Sequence, residues 1–268
     1  MKKLLITALL VGFTLAGMAQ ERVLYKQTDT TKLYMEVYSP AEIKNAEKLP
    51  ALLFYFGGGW NGGSIKQFER HAKYLTEKGM VCFLVEYRVK TRNNTSPFES
   101  LKDAKSAVRF VRENANKFHV DADKILAGGG SAGGHLAAAT AHIEGFNDAK
   151  DNLSISCKPC ALVLFNPVID NGPAGYGFER IGEAYKEFSP LHNVKKGAPP
   201  TIFFLGTIDP LIPVQTAEYY KVAMDRVGSR CDLFLYEGEG HGFFNSDENY
   251  KKTIAETDKF LTSLGYLK

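Results

Sequence analysis

A serine at position 131 lies in a run of small residues, between a strand-forming and a helix-forming segment. Residues 129–133 read Gly-Gly-Ser-Ala-Gly, the pattern Gly-x-Ser-x-Gly, with Lys-Ile-Leu at 124–126 before them and an alanine-rich segment at 136–141 after them. Small neighbours tolerate the backbone angles of a tight strand-to-helix turn, which holds the hydroxyl clear of the main chain. N–H groups at the start of the helix can bind an oxyanion. We therefore predict that Ser131 is a nucleophile and that the Ala132 N–H stabilises negative charge.

A serine hydroxyl is a weak nucleophile at neutral pH, so it requires a general base that is itself oriented by a carboxylate. Of the six histidines, His241 alone follows both of the last two predicted strands, in a loop where glycines on either side allow a sharp turn. Asp209 lies in a turn directly after the predicted strand 201–206. Asp170, which follows an earlier predicted strand, is the alternative acid. The chain order Ser131, Asp209, His241 is the one expected for a nucleophile in such a turn.

The remaining five histidines are predicted to have no catalytic role. His135 lies one helical turn after the predicted nucleophile and is expected to pack in the interior. His71 and His142 fall on predicted helices and are expected at the surface or at the rim of the site. His119 and His192 fall in predicted loops.

A second glycine-rich segment follows the predicted strand 51–56. Residues 57–59 are all glycine, and Trp60, Asn61 and two more glycines follow. Glycine lets a backbone approach a reacting carbonyl closely because it has no side chain. A loop at this place in the chain order supplies the second donor of an oxyanion hole. We predict that the N–H groups of this loop act together with that of Ala132.

Apolar strand patterns alternate with helical patterns along the chain. The predicted strands are 21–27, 32–39, 51–56, 80–87, 124–126, 161–166, 201–206 and 232–237, and the predicted helices are 64–78, 98–116, 214–227 and 249–264, with one more after Ser131. This alternation predicts an α/β fold with a mostly parallel central sheet of about eight strands and helices on both faces. The first two strands have no helix between them and are expected to be antiparallel at the edge. Neither a repeat nor a linker divides residues 20–268, so we predict one domain.

The first 19 residues have the pattern of a secretory signal peptide. Lys2 and Lys3 precede an apolar run over 4–15, and Gly17 and Ala19 provide small residues before a cleavage point. The apolar run is short for a membrane span. Because no cysteine lies near the cleavage point, we expect a periplasmic or secreted protein without a membrane anchor after cleavage.

Composition narrows the classes of partner and cofactor. The 33 Lys and Arg residues nearly balance the 30 Asp and Glu residues, and no basic cluster predicts binding to nucleic acid. Cys157 and Cys160 are spaced for a disulfide in an exported protein, with free thiols as the alternative. Cys82 and Cys231 fall in strand patterns and are expected to be buried. We expect neither a metal site, because no second ligand pair is suitably spaced, nor a cofactor.

Four blocks of this sequence together resemble the α/β-hydrolase superfamily. They are Phe-Gly-Gly-Gly-Trp at 56–60, Gly-Gly-Ser-Ala-Gly at 129–133, Gly-Thr-Ile-Asp-Pro at 206–210 and Gly-His-Gly-Phe-Phe at 240–244. The match is to esterases related to hormone-sensitive lipase and to bacterial acetyl-xylan and feruloyl esterases. The resemblance implies that Ser131 is the nucleophile, His241 the base and Asp209 its orienting acid, and it assigns the oxyanion donors to Gly58, Gly59 and Ala132.

The sequence departs from that family in two ways. Phe56 stands where these esterases usually have a histidine, so another group must brace the glycine segment that follows. The lipase-like members also carry an N-terminal helical cap, whereas the residues before the strand 51–56 are predicted to be mainly strand. We therefore expect little or no cap, and an open site suited to a short acyl group on a bulky alcohol.

These observations predict a serine esterase that removes short acyl groups, such as acetyl, from a carbohydrate. Trp60, Tyr176 and Phe243 are predicted near the mouth of the site, where they would stack on a sugar ring or pack at its rim. A peptidase or a lipid esterase of the same fold remains an alternative, as does a non-catalytic carbohydrate-binding protein. The sequence leaves the acyl group, the sugar and the oligomeric state open.

Overall fold

The computed structural model describes residues 19–44 and 47–268. The predicted signal peptide lies outside these residues except for Ala19, which begins the first strand. The strands are β1 (Ala19–Gln27), β2 (Lys32–Ser39), β3 (Leu49–Tyr55), β4 (Val81–Val85), β5 (Val120–Gly130), β6 (Leu162–Phe165), β7 (Thr201–Gly206) and β8 (Cys231–Tyr236). The α-helices are α1 (Glu69–Glu77), α2 (Lys90–Asn93), α3 (Pro97–Glu113), α4 (Ala132–His142), α5 (Phe178–Ile181), α6 (Tyr185–Phe188), α7 (Val214–Arg226) and α8 (Asp247–Ser263). Short 3₁₀-helices cover Ile65–Phe68, Gly182–Ala184, Pro190–Asn193 and Phe243–Asn245.

All eight strands form one sheet in the order β1-β2-β4-β3-β5-β6-β7-β8. The first two strands pair antiparallel at the edge, β2 also pairs antiparallel with β4, and the strands from β4 to β8 pair in parallel. The predicted α/β fold, with its mostly parallel sheet and antiparallel edge, is confirmed. In the described part of the chain, no helix has the length and apolar character needed to cross a membrane.

Helices cover both faces of the sheet, so the central strands are apolar at nearly every position. In β3, Leu53 and Tyr55 belong to the core on one face, whereas Leu52 and Phe54 belong to the core on the other. Successive side chains of a strand point to opposite faces, so a strand buried on both sides loses the polar alternation of a half-exposed one. This burial explains the continuous apolar runs in the sequence.

The sheet brings the residues predicted to do chemistry together at the carboxyl ends of its parallel strands. Parallel strands end on the same side of a sheet, and ligands bind at their carboxyl ends. The glycine segment follows the end of β3, Ser131 follows β5, Asp209 follows β7 and His241 follows β8. Residues that are far apart in the sequence are therefore brought to a common site by strand direction alone.

All four cysteines are free thiols in this structure. Cys82 and Cys231 are buried, as predicted from their strand patterns. Cys157 and Cys160 are partly buried and unlinked, and the Cys157 Sγ lies 3.8 Å from the carbonyl oxygen of Thr140. The structure thus corresponds to the free-thiol alternative for this pair.

Three of the histidines are buried in the core, and for two of them the prediction was wrong. His135 packs inside as predicted, with its Nε2 atom 2.9 Å from the Phe188 carbonyl oxygen. His71 and His142, predicted at the surface or rim, are only 3% and 5% exposed. His71 packs on Phe54 and Phe165 of the sheet and on Tyr250 of α8. The Nε2 atom of His142 lies 2.7 Å from the hydroxyl of Tyr220 on α7. No hydrogen-bond partner of either ring nitrogen of His71 occurs among the described residues.

Burial keeps these three imidazoles neutral and so links folding to pH. Desolvation lowers the pKa of His71 and of His142 to about 3, and that of His135 to about 4, from 6.5. Below pH 6.5 these histidines are therefore protonated in the unfolded chain but remain neutral in the folded chain. Their contribution to the free energy of unfolding is complete above that pH and is lost as the pH falls. Each histidine contributes a slope of up to about 1.4 kcal/mol per pH unit.

Replacing His71 by leucine is expected to make the free energy of unfolding less dependent on pH. His71→Leu removes one of the three protons that these histidines take up on unfolding, so their contribution to the slope between pH 6 and pH 4.5 should decrease by about one third. Urea unfolding at several pH values measures this slope. The control is Phe68→Leu, which alters the neighbouring core without a titrating group and should shift stability equally at every pH. Parallel curves for wild type and His71→Leu would contradict the prediction.

Candidate active site

Ser131 occupies a strained turn between β5 and α4. Its backbone angles are φ 54° and ψ −121°, a positive φ that a residue with a side chain adopts only when its surroundings enforce it. Hydrogen bonds hold the turn on both sides: the Ser131 N–H donates to the Phe165 carbonyl at 3.0 Å, and the Ser131 carbonyl accepts from the N–H groups of His135 and Val168 at 2.9 and 3.1 Å. The turn therefore presents the Ser131 side chain in a fixed direction.

The two outer glycines of the Gly-x-Ser-x-Gly pattern permit a close backbone approach to β3. A Cβ atom at Gly129 would lie 2.5 Å from the Tyr55 carbonyl oxygen, and one at Gly133 would lie 2.1 Å from the same atom. Both distances are shorter than real Cβ contacts. The pattern thus reflects packing of the turn against β3, in addition to the flexibility that the turn requires.

The three residues predicted to act together form a continuous hydrogen-bonded chain. The Ser131 Oγ lies 2.9 Å from the His241 Nε2, and the His241 Nδ1 lies 2.7 Å from the Asp209 Oδ2. A carboxylate accepts hydrogen bonds, so the Nδ1 carries the proton and the Nε2 is left free to accept from the serine hydroxyl. This is the geometry required for a general base beside a nucleophile.

The structure distinguishes Asp209 from the alternative acid Asp170. The Asp209 side chain is fully buried, and its Oδ1 accepts from the N–H groups of Leu211 and Ile212 at 2.8 and 3.0 Å. These bonds leave Oδ2 for the imidazole of His241. The Asp170 Oδ1 instead accepts from the Gly172 N–H at 2.8 Å and lies 3.3 Å from the Nε2 of His192.

The glycine loop (residues 57–63) begins beside Ser131. Gly58 and Gly59 line a cavity together with Ser131. Their φ values are 126° and 60°. Among the described residues their N–H groups have no hydrogen-bond acceptor. Ala132 is the first residue of α4, so its N–H has no intrahelical partner either. All three predicted oxyanion donors are therefore available next to Ser131.

Side chains from neighbouring elements fix the glycine loop at its start and at Gly59. The Gly57 N–H donates to the Gln67 Oε1 at 2.7 Å, and the Tyr87 hydroxyl donates to the Phe56 carbonyl at 2.6 Å. Burial raises the pKa of Tyr87, so this hydroxyl stays protonated and remains a donor. Further along the loop, a guanidinium N–H of Arg180 donates to the Gly59 carbonyl.

A small cavity at Ser131 adjoins a wider groove. The cavity has a volume of about 240 Å³, and Ser131, His241 and Phe244 are among its lining residues. The groove, of about 670 Å³, adjoins it and shares Tyr176 and Leu211 as lining residues. A bound molecule could therefore place one part in each space.

Two of the three aromatic residues predicted to stack on a sugar are not available for that role. Trp60 is 1% exposed and packs edge to face on His135, with ring centroids 5.1 Å apart. Phe243 is 6% exposed and packs on Tyr236 at 4.8 Å. The prediction is corrected for both residues, because their loops turn the rings into the core. Tyr176 is partly exposed and lines both cavity and groove.

Asn166 belongs to the site, although the sequence did not identify it. It directly follows β6, is fully buried and adopts a positive φ of 34°. Its Oδ1 accepts from the Gly242 N–H at 3.1 Å, and its Nδ2 lies 3.4 Å from the His241 Nε2. A polar residue at the carboxyl end of a buried strand was the available signal. The predicted strand 161–166 includes this residue, so the pattern does not mark it as part of a site.

The sheet order, the strained serine turn and the serine–histidine–aspartate chain together define an α/β-hydrolase. Residues 35–173 match the BD-FAE family model, and residues 168–267 match that of the dienelactone hydrolase family. The chain belongs to the BD-FAE family.

Several solved structures and relatives that this chain resembles are esterases. Esterase 2 of Thermogutta terrifontis in its apo form is 40% identical, with a TM-score of 0.89 over 93% of this chain and 96% of that one. It has also been solved phosphorylated by paraoxon (40% identity, 92% and 95% of the two chains, TM-score 0.88) and with propionate bound (39%, 92% and 95%, TM-score 0.87).

Two further relatives are longer proteins. Esterase LipC of Mycobacterium tuberculosis is 28% identical over 72% of this chain and 53% of its own length. An acetylxylan esterase of Xylanibacter ruminicola is 26% identical over 90% of this chain and 50% of its own length. The chain thus spans about half the length of these two relatives.

The geometry predicts that Ser131 reacts with an organophosphate. Paraoxon should transfer one diethylphosphoryl group to the Ser131 Oγ with release of p-nitrophenolate, because His241 can accept the hydroxyl proton. Intact-mass spectrometry with peptide mapping measures the label. Ser131→Ala should take up none. Because Asp209 orients the imidazole, Asp209→Asn should slow labelling by about 10³-fold or more. Its matched control, Asp170→Asn, should react at the wild-type rate; slowing by Asp170→Asn instead would contradict the assignment of the acid.

Proposed function

We propose that this protein is a serine esterase that removes short acyl groups, acetyl above all, from a carbohydrate alcohol. The observation that carries the proposal is the hydrogen-bonded chain from Ser131 through His241 to Asp209, with Ser131 and His241 lining a small cavity that adjoins a polar groove. The comparisons support carboxylic ester hydrolysis as the reaction class, since the relatives described above are esterases.

The proposed reaction follows from the positions of the polar groups. The Ser131 Oγ attacks the ester carbonyl carbon while its proton moves to the His241 Nε2. The resulting oxyanion accepts hydrogen bonds from the N–H groups of the glycine loop and Ala132. As the ester C–O bond breaks, His241 returns the proton to the departing alcohol oxygen. Water, deprotonated by the same imidazole, then attacks the acyl-enzyme and releases the carboxylic acid together with the free serine.

The cavity volume supports a short acyl group. At about 240 Å³, it is smaller than the roughly 300–1,000 Å³ of sites that enclose drug-sized ligands. Its lining combines the polar reacting groups with the apolar side chains of Phe244 and Leu211. The related esterase with propionate bound also accommodates a short acid.

The adjoining groove supports a carbohydrate as the alcohol. Its lining includes the polar side chains of Asn61, Lys90 and Glu179, together with the aromatic ring of Tyr176. Hydroxyl groups of a sugar can bond to the former, and the C–H face of a sugar can pack on the latter. The name of the acetylxylan esterase relative points in the same direction. The signal peptide predicted at residues 1–19 would place such an enzyme outside the cytoplasm, where polysaccharides occur.

A series of p-nitrophenyl esters from acetate to octanoate tests the reaction and the acyl specificity. The value of kcat/KM is expected to be highest for acetate and propionate and to fall with longer chains, because a longer chain would have to extend out of the small cavity. Ser131→Ala should reduce kcat by about 10⁴-fold or more. A maximum at longer chains would favour a lipid esterase. Absence of turnover with any ester would favour the non-catalytic binding protein.

The carbohydrate part of the proposal predicts a substrate-dependent effect of groove substitutions. Lys90→Ala and Glu179→Ala are expected to raise KM for an acetylated xylo-oligosaccharide by about 3- to 10-fold, as expected for lost hydrogen bonds in a solvated groove. The change with p-nitrophenyl acetate, whose alcohol is small, should be less. Acetate release measures the first activity and absorbance the second. Lys150→Ala is the matched control, because that lysine pairs with Asp29 on another surface. Equal effects on both substrates would contradict a role in binding the sugar.

A further inference from the structure

The glycine loop has few means of holding its own position. Residues 57–59 have no side chains that could pack, so hydrogen bonds must fix the loop. Within it, the N–H groups of Asn61 and Gly62 donate to the Gly58 carbonyl at 3.0 and 3.3 Å, and neighbouring elements supply the other bonds. The loop also passes very close to the nucleophile: a Cβ atom at Gly57 would lie 3.1 Å from the Gly130 carbonyl oxygen and 3.3 Å from the Ser131 Cβ. A displacement of the loop would therefore directly change the position of the oxyanion donors relative to the reacting atoms.

Gln67 supplies a hydrogen bond to the peptide group directly before the oxyanion donors. Its Oε1 accepts from the Gly57 N–H at 2.7 Å, one residue before the predicted donor Gly58. The side chain comes from the 3₁₀-helix Ile65–Phe68, which leads into α1, and it lines the cavity beside Ser131. Since the Gly57 N–H is occupied by this bond, it is held away from the substrate while the next two N–H groups remain free.

The same amide also reaches the loop that carries the base. The Gln67 Nε2 lies 3.4 Å from the Asn245 Oδ1 and can donate to it. The Asn245 Nδ2 in turn donates to the Gly242 carbonyl at 2.8 Å, so its amide is oriented with the oxygen toward Gln67. Gly242 directly follows His241. One side chain thus connects the segment that would bind the oxyanion with the segment that holds the imidazole.

We propose that Gln67 is a positioning residue for ester hydrolysis, which fixes the glycine loop against Ser131 and in register with the His241 loop. Gln67 acts through the Gly57 N–H and makes no bond to the reacting atoms. The inference rests on the proposed function, because the geometry that it protects is that of an oxyanion hole. A neutral amide suits this place, since it accepts from one loop and donates to the other without adding charge beside a developing oxyanion.

The decisive variant is Gln67→Met, which keeps the length of the side chain and removes both polar contacts. For p-nitrophenyl acetate, kcat should fall by about 10- to 100-fold, the cost of a small misplacement at a reacting centre, while KM changes little. A trifluoromethyl ketone adds to the Ser131 Oγ through its carbonyl carbon and leaves an oxyanion, with the serine proton on His241. Its inhibition constant should rise by the same factor as kcat/KM falls.

Two further variants separate positioning from general loss of structure. Gln67→Glu keeps an acceptor for the Gly57 N–H, so its loss in kcat should be smaller than that of Gln67→Met; an equal or larger loss would overturn the proposal. Gln215→Met makes the same exchange at an exposed position of α7 and should match the wild type. Thermal unfolding of each variant shows whether it is folded.

The outcomes also separate this inference from the proposed function. If the wild type hydrolyses the esters and Gln67→Met has the same kcat and the same inhibition constant, the positioning role is wrong and the esterase proposal stands. A change in KM alone would likewise overturn it, because that would assign Gln67 to substrate binding. If the wild type neither hydrolyses any ester nor forms the ketone adduct, the proposed function fails, and this inference fails with it.

Discussion

The backbone contact between the serine turn and the end of β3 constrains every other part of the site. Gly133 lies so close to β3 that a Cβ atom would be 2.1 Å from the Tyr55 carbonyl and 2.3 Å from that of Phe56. Helix α4 can therefore begin directly beside the point where β3 becomes the glycine loop. This single contact sets the distance between the nucleophile and both sources of oxyanion donors. The strain of about 1–3 kcal/mol at the positive φ of Ser131 is sustained by its bonds to β6 and the segment after it.

The positions of His241 and Asp209 are also fixed by backbone groups, and here the backbone groups stabilise a charge as well. A buried carboxylate is costly unless donors surround it. Asp209 accepts from two backbone N–H groups and from the imidazole, and such bonds to an ionised group are stronger than neutral ones. The hydrogen bonds that orient His241 thus also stabilise the buried charge of Asp209. Orientation of the base and stability of the loop after β7 have one physical origin.

The site residues that depend on local pattern and strand direction could be predicted from the sequence. Those that depend on contacts between distant elements could not. Ser131, Asp209 and His241 each follow a recognisable strand, so the parallel sheet alone brings them together. The burial of Trp60 depends on its own positive φ of 56°, which a glycine-rich sequence does not specify. His71 is enclosed partly by Tyr250 of the distant α8, at a centroid distance of 4.9 Å. Gln67 reaches Asn245 in the loop after β8, a contact that no local pattern can indicate.

Arg180 shows how the groove and the oxyanion hole are physically connected. Its guanidinium donates to the Gly59 carbonyl and lies over the rings of Trp60 and Tyr176, 5.2 and 5.4 Å from their centroids. The wall of the groove is therefore attached to the peptide that follows one predicted oxyanion donor. A ligand that settles against Tyr176 and Arg180 would act on the same segment that meets the developing charge. Binding energy from the alcohol part of a substrate can then be expressed in kcat as well as in KM, because it would hold the glycine loop in the geometry required by the transition state.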